Sequence, residues 1–399
     1  MFFMWNGGFS QSINDIYDRG AEKLKNKQYE EAIKDFSTVV QTDKFYYQAF
    51  YDRAQCYNAE NKSDNAIKDL TSAITAKKDY FQAFLLRSDI YLKTAKTKEA
   101  LADLEQIIRM KPDLCTAFEK RGLLYLGEKN NDAAFRDFSK AVDLGTKNVQ
   151  IFLERGNLFV TKNKADDAIK DYSSAISIDP NNAQVYYKRA QCQLSKKNYL
   201  DAIPDLSKAI ELKMVNEEIY YQRAEAYCEK KLNDQALSDL TILINNYHTK
   251  KVDVYLKRGA VYEDLGKNTE ALKDYSKAIS LDQKNCEAYF HRGSVYSKMG
   301  KTKESQAMKD FSKAIELNPE NGEAYLYRGI YFFEKKKNDE ALADLNKAVK
   351  LTQNGESYFY RGAILYEMKK TSEACNDLKK AKELGYKEAI AKANTLCPD

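Results

Sequence analysis

The stretch DFSKAIELNPENGEAYLYRG, residues 310–329, runs from an apolar-periodic segment through an Asn- and Pro-containing break into an aromatic-rich one ending Arg-Gly. Nearly the same phrase occurs at 171–190 as DYSSAISIDPNNAQVYYKRA and at 274–293 as DYSKAISLDQKNCEAYFHRG. On either side of the break, apolar and small residues recur at three- and four-residue steps, the period of a helix. Pro319 and Pro180 sit where a helix must stop, because proline cannot continue one. The stretch therefore predicts one helix ending and a second beginning.

Arginine marks the repeat: Arg19, Arg53, Arg87, Arg121, Arg155, Arg189, Arg223, Arg258, Arg292, Arg328 and Arg361 stand 33–36 residues apart. Each is followed by a small residue, from Gly20 and Ala54 through Ser88 to Gly362, and each except Arg19 has an aromatic three positions earlier. An alanine column runs from Ala32 to Ala374. A second polar break of the type KNKQ, LGKN or KKKN divides each unit, so each unit predicts an antiparallel helical hairpin. Sixteen residues after the arginine stands an aspartate in ten units, and in the ninth Asp310 follows after 18. Antiparallel packing brings the two to the same height, predicting a half-buried Arg–Asp pair that the next unit's arginine shares. Pro204 lies inside a second helix and predicts a kink or a shortened first turn. The 301–306 segment predicts a longer turn.

This pattern resembles the tetratricopeptide repeat family, whose aromatic, small, aromatic, Ala, aromatic and Pro landmarks are matched in the ninth unit by Tyr289, Gly293, Tyr296, Ala307, Phe311 and Pro319. Two departures stand out. Arginine replaces the family's usual leucine before the small residue, and the terminal proline survives in three units only. The resemblance implies an all-α fold, a right-handed α-solenoid of eleven hairpins over residues 13–384. An N-terminal tail would precede it at 1–12, and a capping helix would close it at 385–399. It also implies a concave groove lined by first helices.

Composition argues against other classes. Charged residues make up 31% of the chain, are spread evenly, and leave a net charge of only +5. No apolar run reaches the roughly 18 residues of a membrane span. Seven scattered cysteines, never at CxxC spacing, are expected to be free thiols of a cytoplasmic protein. The two histidines, His248 and His291, lie at no metal-binding spacing, and neither a Walker loop nor a GxSxG nucleophile motif occurs. No enzyme, cofactor, metal or small-molecule substrate is expected. Nucleic acid is disfavoured because basic residues alternate with acids. The oligomeric state is left open.

The columns that the resemblance places in the groove change along the chain. Five residues before the arginine stand Asn14, Gln48, Gln82, Thr116, Gln150 and Gln184, and then Glu218, Asp253, Glu287, Glu323 and Glu356. Other acids implied to face inward in the last five units are Glu225, Glu229, Glu263, Asp264, Glu334 and Glu367, against Lys257 and Lys298. The column two before the arginine is greasy, with Tyr187, Tyr221, Leu256, Phe290, Leu326 and Phe359 in its later half. The expectation is a protein-interaction scaffold whose later groove takes extended, basic, partly apolar segments. The alternative is a structural component of a cytoskeletal or ciliary assembly that uses its outer surface as well.

Overall fold

The computed structural model describes residues 12–397 as helices and short turns. Residues 1–11, most of the expected N-terminal tail, lie outside the described residues. The first compact unit ends at Cys192. Its helices are α1 (Ile13–Lys25), α2 (Tyr29–Thr42), α3 (Tyr47–Ala59), α4 (Ser63–Ala76), α5 (Phe81–Lys93), α6 (Thr97–Met110), α7 (Cys115–Gly127), α8 (Asn131–Asp143), α9 (Val149–Thr161), α10 (Ala165–Ile178) and the start of α11 (Ala183–Ser195). The second unit begins at Gln193. It holds α12 (Tyr199–Glu211), α13 (Glu217–Glu229), α14 (Asn233–Asn245), α15 (Val252–Asp264), α16 (Asn268–Leu281), α17 (Cys286–Lys298), α18 (Glu304–Leu317), α19 (Gly322–Glu334), α20 (Asn338–Thr352), α21 (Gly355–Glu367), α22 (Thr371–Glu383) and α23 (Lys387–Leu396). In the first unit α1 to α10 and in the second α12 to α23 each pack on their sequence neighbours, the arrangement of an all-α solenoid.

Local chemistry sets the boundaries. Inside most hairpins the turn carries one residue at positive φ, as at Lys27, Asn61, Lys129, Gly266 and Lys369, which ends the first helix. Several first helices begin on an asparagine whose side chain accepts a backbone N–H, as Asn285, Asn321 and Asn354 do. Pro204 does not shorten its helix: α12 runs 13 residues around it, the same length as α8 and α14. The ninth unit's extra residues form a single turn of 3-10 helix, Lys301–Lys303, behind Gly300 at φ 84°.

The seam of each hairpin is filled by matched volumes. The alanine column is buried throughout. The small residue after the arginine faces a large one on the second helix. A Cβ built on Gly156 would lie 2.5 Å from Tyr172 Cε1, and one on Gly259 would lie 2.7 Å from Tyr275 Cε1. Phe36, Phe138 and Phe311 stand in the same way over Gly20, Gly122 and Gly293. Where alanine replaces glycine, at Ala54 and Ala224, the residues packed in the same clusters are Leu70 and Leu240.

The repeated ion pair is present. In α5 and α6, Arg87 Nε and Nη2 donate to Asp103 Oδ2 and Oδ1 at 2.8 and 2.7 Å. The same fork grips aspartate in at least ten hairpins, the ninth included, where Arg292 reaches Asp310 at 2.7 and 2.9 Å. The neighbouring arginine does not share that aspartate. Its remaining nitrogen reaches back to a hydroxyl two residues further along the preceding second helix: Arg53 to Ser37, Arg87 to Thr71 and Arg223 to Ser207, at 2.9–3.0 Å. The aspartate's oxygens are already taken by its own arginine, so the hydroxyl is the free acceptor at that height. Aromatic rings flank the guanidinium, as Phe84 and Tyr91 flank Arg87 at 5.5 and 5.7 Å.

One sequence expectation is overturned. Cys375 of α22 and Cys397, just past α23, form a disulfide. The other five cysteines are free thiols. With two of the seven bonded, the cysteine pattern no longer separates a reducing compartment from an oxidising one. Helix α23 packs on the last hairpin, where Ala389, Ala393 and Cys397 join Phe359, Leu378 and Ala381 in one apolar cluster. No described helix is long and apolar enough to cross a membrane.

Candidate peptide-binding face

In the second unit the acidic column occupies one structural place. Glu218, Asp253, Glu287, Glu323 and Glu356 are each the second residue of α13, α15, α17, α19 and α21. A carboxylate there is favoured by the positive end of its own helix, so the column has a local reason to be acidic. The sequence reading stopped one helix short, because Glu388 holds the same place in α23. An acid as the second residue of the last helix was the available signal.

The carboxylates near the end of the unit feel one another. Burial raises the Glu356 carboxyl above its ordinary range, and the charges of Glu323 and Glu388 push it further. The Tyr327 hydroxyl is raised by burial and then by Glu356 and Glu323, and that of Tyr360 by burial and then by Glu356, Glu334 and Glu388. Tyr327 and Tyr360 therefore lie in the field of the acids. Each is four residues after a column glutamate, hence on the same helix face.

The greasy column is placed differently from its expected role. Leu326 is 1% exposed and packs with Ala341, Leu345 and Ile364, while Phe290 and Phe359 are also buried in apolar clusters. Their surface is used by the core, which leaves Tyr327, Tyr360 and Tyr386 as the rings beside the acids. Leu256 and Tyr221 are half-buried. Tyr187, also half-buried, belongs to α11 in the first unit.

The acids divide into two groups. Lys251 pairs with Glu218 at 3.6 Å, and Lys257 with Glu225 and Asp253 at 3.4 and 3.7 Å. The Tyr221 hydroxyl also donates to Asp253. Glu263 accepts from Lys298 at 2.7 Å and from the Tyr275 hydroxyl at 3.0 Å, and Glu367 pairs with Lys336 at 3.1 Å. Glu229, Asp264, Glu287, Glu323, Glu334 and Glu356 make no ion pair among the described residues. Four of these six lie on α17, α19 and α21, so unneutralised charge collects there. A cation docking along those helices would meet carboxylates without displacing an internal lysine.

Comparison with known proteins agrees with the repeat. Family models described as TPR repeat match residues 156–196 and 259–300, and models described as tetratricopeptide repeat match 17–80, 292–358, 81–114 and 183–213. No curated protein sequence matches the chain. Among solved structures, a tetratricopeptide repeat protein from Parabacteroides merdae aligns at 22% identity and TM-score 0.48, over 62% of this chain and 98% of its own. Yeast Tom70 aligns at 17% and 0.40, over 90% and 96%. YrrB, described as a TPR protein with an unusual peptide-binding site, aligns at 20% and 0.42, over 50% and 97%. With repeat matches over more than half of its length, the chain belongs to the tetratricopeptide repeat family.

Proposed function

We propose that the second unit is a non-enzymatic protein-interaction module whose α17, α19 and α21 capture an extended basic segment of a partner protein. The observation that carries this reading is the run of carboxylates without internal counter-ions, Glu287, Glu323 and Glu356, set beside Tyr327 and Tyr360. Carboxylates at successive first turns attract lysine and arginine from solution, and the rings accept their stems and cationic heads. Tetratricopeptide arrays are built to present long surfaces to protein partners, and the first unit's uncharged column of Gln48, Gln82 and Gln150 by itself suits backbone contacts with an extended segment.

The test is fluorescence anisotropy with a labelled twelve-residue Lys/Ser/Gly peptide and the full chain. Binding weakens as salt rises, because exposed charges are screened within about 8 Å at physiological ionic strength. The Glu287→Gln/Glu323→Gln/Glu356→Gln variant binds at least about tenfold more weakly at low salt, the factor expected for losing roughly 1.4 kcal/mol of attraction. Binding also declines on mild acidification, since Glu356, held above the ordinary range, loses its charge earlier than a free carboxylate does. An affinity indifferent to salt and to the triple substitution rejects the reading.

A further inference from the structure

We propose that the cleft beside the ninth hairpin's lengthened turn is an anchor pocket for an arginine side chain of the captured segment. The inference rests on the groove reading above and adds to it a place and a side-chain type. The cleft measures about 530 Å³ and opens between the 3-10 turn, the start of α18 and the second half of α19. Met308, Phe311, Tyr327, Ile330, Tyr331 and Glu334 line it. Its origin is visible in the register. Two extra residues are taken up entirely in the turn, because Arg292 still grips Asp310 and Ala307 still lies buried in the seam.

Three observations select a guanidinium. Tyr327, Tyr331 and Glu334 follow one another at four and three residues on α19, so two rings and a carboxylate share a face. Phe311 stacks on Tyr327 with ring centroids 5.7 Å apart and planes at 17°, which holds the Tyr327 ring in place. The chain's own Lys335 already lies 5.6 Å from the centre of Tyr331 while paired to Glu304, so that ring accepts a cation. With Glu304 neutralised by Lys335, Glu334 is the lining carboxylate without an ion pair among the described residues.

The protein shows elsewhere what such a set holds. Arg328, on the same helix, lies 5.7 and 6.0 Å from Tyr325 and Phe332 and forks onto Asp344. The cleft offers rings and a carboxylate again, with Lys301 and Lys335 at its edge and no arginine of the chain lining it. Arginine suits it better than lysine, because a planar guanidinium stacks on rings while donating to a carboxylate edge. Leucine would bury surface but leave Glu334 unanswered. The cleft also continues into the acidic face, since Tyr327 lies in the field of Glu356 and Glu323.

The test uses the full chain and three labelled twelve-residue Lys/Ser/Gly peptides that differ only at one central position, occupied by Arg, Lys or Leu. Wild type binds the Arg peptide at least about fivefold more tightly than the Lys peptide, as one desolvated cation–π contact supports. Glu334→Gln and Tyr331→Leu each bring the two peptides to within about twofold while still binding the Lys peptide. Should Tyr331→Leu fail to fold, the exposed Glu334→Gln decides alone. Glu287→Gln/Glu323→Gln weakens both peptides and keeps the preference. An Arg preference that survives Glu334→Gln, a preference for Leu, or no preference beside intact salt-sensitive binding overturns the pocket and leaves the groove reading standing. Absence of binding by all three peptides overturns both.

Discussion

Where an aromatic ring faces the small position, glycine alone leaves it room. Every aromatic directly after the paired aspartate, from Phe36 to Phe311, covers a glycine, and leucine takes that place where the small residue is Ala54 or Ala224. Gly156→Ala drives a methyl to 2.5 Å from the Tyr172 ring, whose hydroxyl is tied to Asn157 at 2.9 Å. Overpacking costs about 1–3 kcal/mol, against a helix-propensity gain of about 1 kcal/mol at most, so the variant should be net destabilised in a denaturant melt. In a Tyr172→Leu background the same substitution should cost nothing further, and Gly362→Ala, facing Leu378 at 3.1 Å, should be near neutral. Equal effects at Gly156 and Gly362 would dismiss the matching of volumes. A second outcome belongs to Asp35. The Arg19 hydrogen bond holds its carboxyl below the ordinary range against the opposing effect of burial, with Lys23 helping. A depressed folded value means that the stabilisation is complete above the ordinary aspartate range, about 3.9, and is lost as pH falls through the lower folded value. Asp35→Asn should therefore lose less stability between pH 6 and pH 3 than wild type does, and parallel pH curves would contradict the assignment.

Most hairpins are fastened to the one before by the same guanidinium that closes their own seam. Arg87 binds Asp103 on α6 and Thr71 on α4, so one side chain of α5 ties three helices, while 14% of its side chain and 6% of Asp103's remain exposed. Removing one partner of so enclosed a pair strands the other, at about 3–5 kcal/mol. Arg87→Ala should fall in that range and the exposed Lys98→Ala within about 0.5 kcal/mol. Arg87→Lys should recover only part of the loss, because an ammonium cannot span both oxygens and the second helix together. A chemical-denaturation series ranking Lys equal to Arg would show that charge alone matters. The arginine column and its partner aspartate were legible because a 16-residue spacing across an antiparallel turn has one geometric solution. The reach to Thr71 was not, since it depends on which acceptor remains free once the aspartate is saturated. Leu326 and Tyr327 teach the same lesson: adjacent in sequence, one belongs to the core and the other lies among the acids, and periodicity alone did not choose between them.

Because helices pack chiefly on their neighbours in sequence within each unit, with only slight contact to the next helix but one, disturbances should stay local. The end of the second unit tests this, for α23 is held both by apolar packing and by the Cys375–Cys397 bond, a pairing of distant, unmotivated cysteines that spacing rules did not reveal. The bond closes a loop of 22 residues, and such links stabilise by about 2–4 kcal/mol, mainly by restricting the opened chain. A helix of ten residues does not persist alone, so cutting the link should let α23 detach far more often without unfolding what precedes it. Hydrogen exchange read by mass spectrometry, with and without a phosphine reductant and again in Cys397→Ser, should show amides of α23 exchanging at least about tenfold faster. Amides of α15 and α16 should keep their wild-type rates. The loss should also reach the acidic face, because Glu388 rides on α23 and is one of the charges that raise Glu356. Freed of that neighbour, Glu356 should titrate closer to an ordinary carboxylate in the reduced protein, as carboxyl NMR shifts would report. Unchanged exchange in α23 would mean that its apolar contacts alone hold it, and faster exchange spreading through α15 would mean that the repeats melt together and not pair by pair.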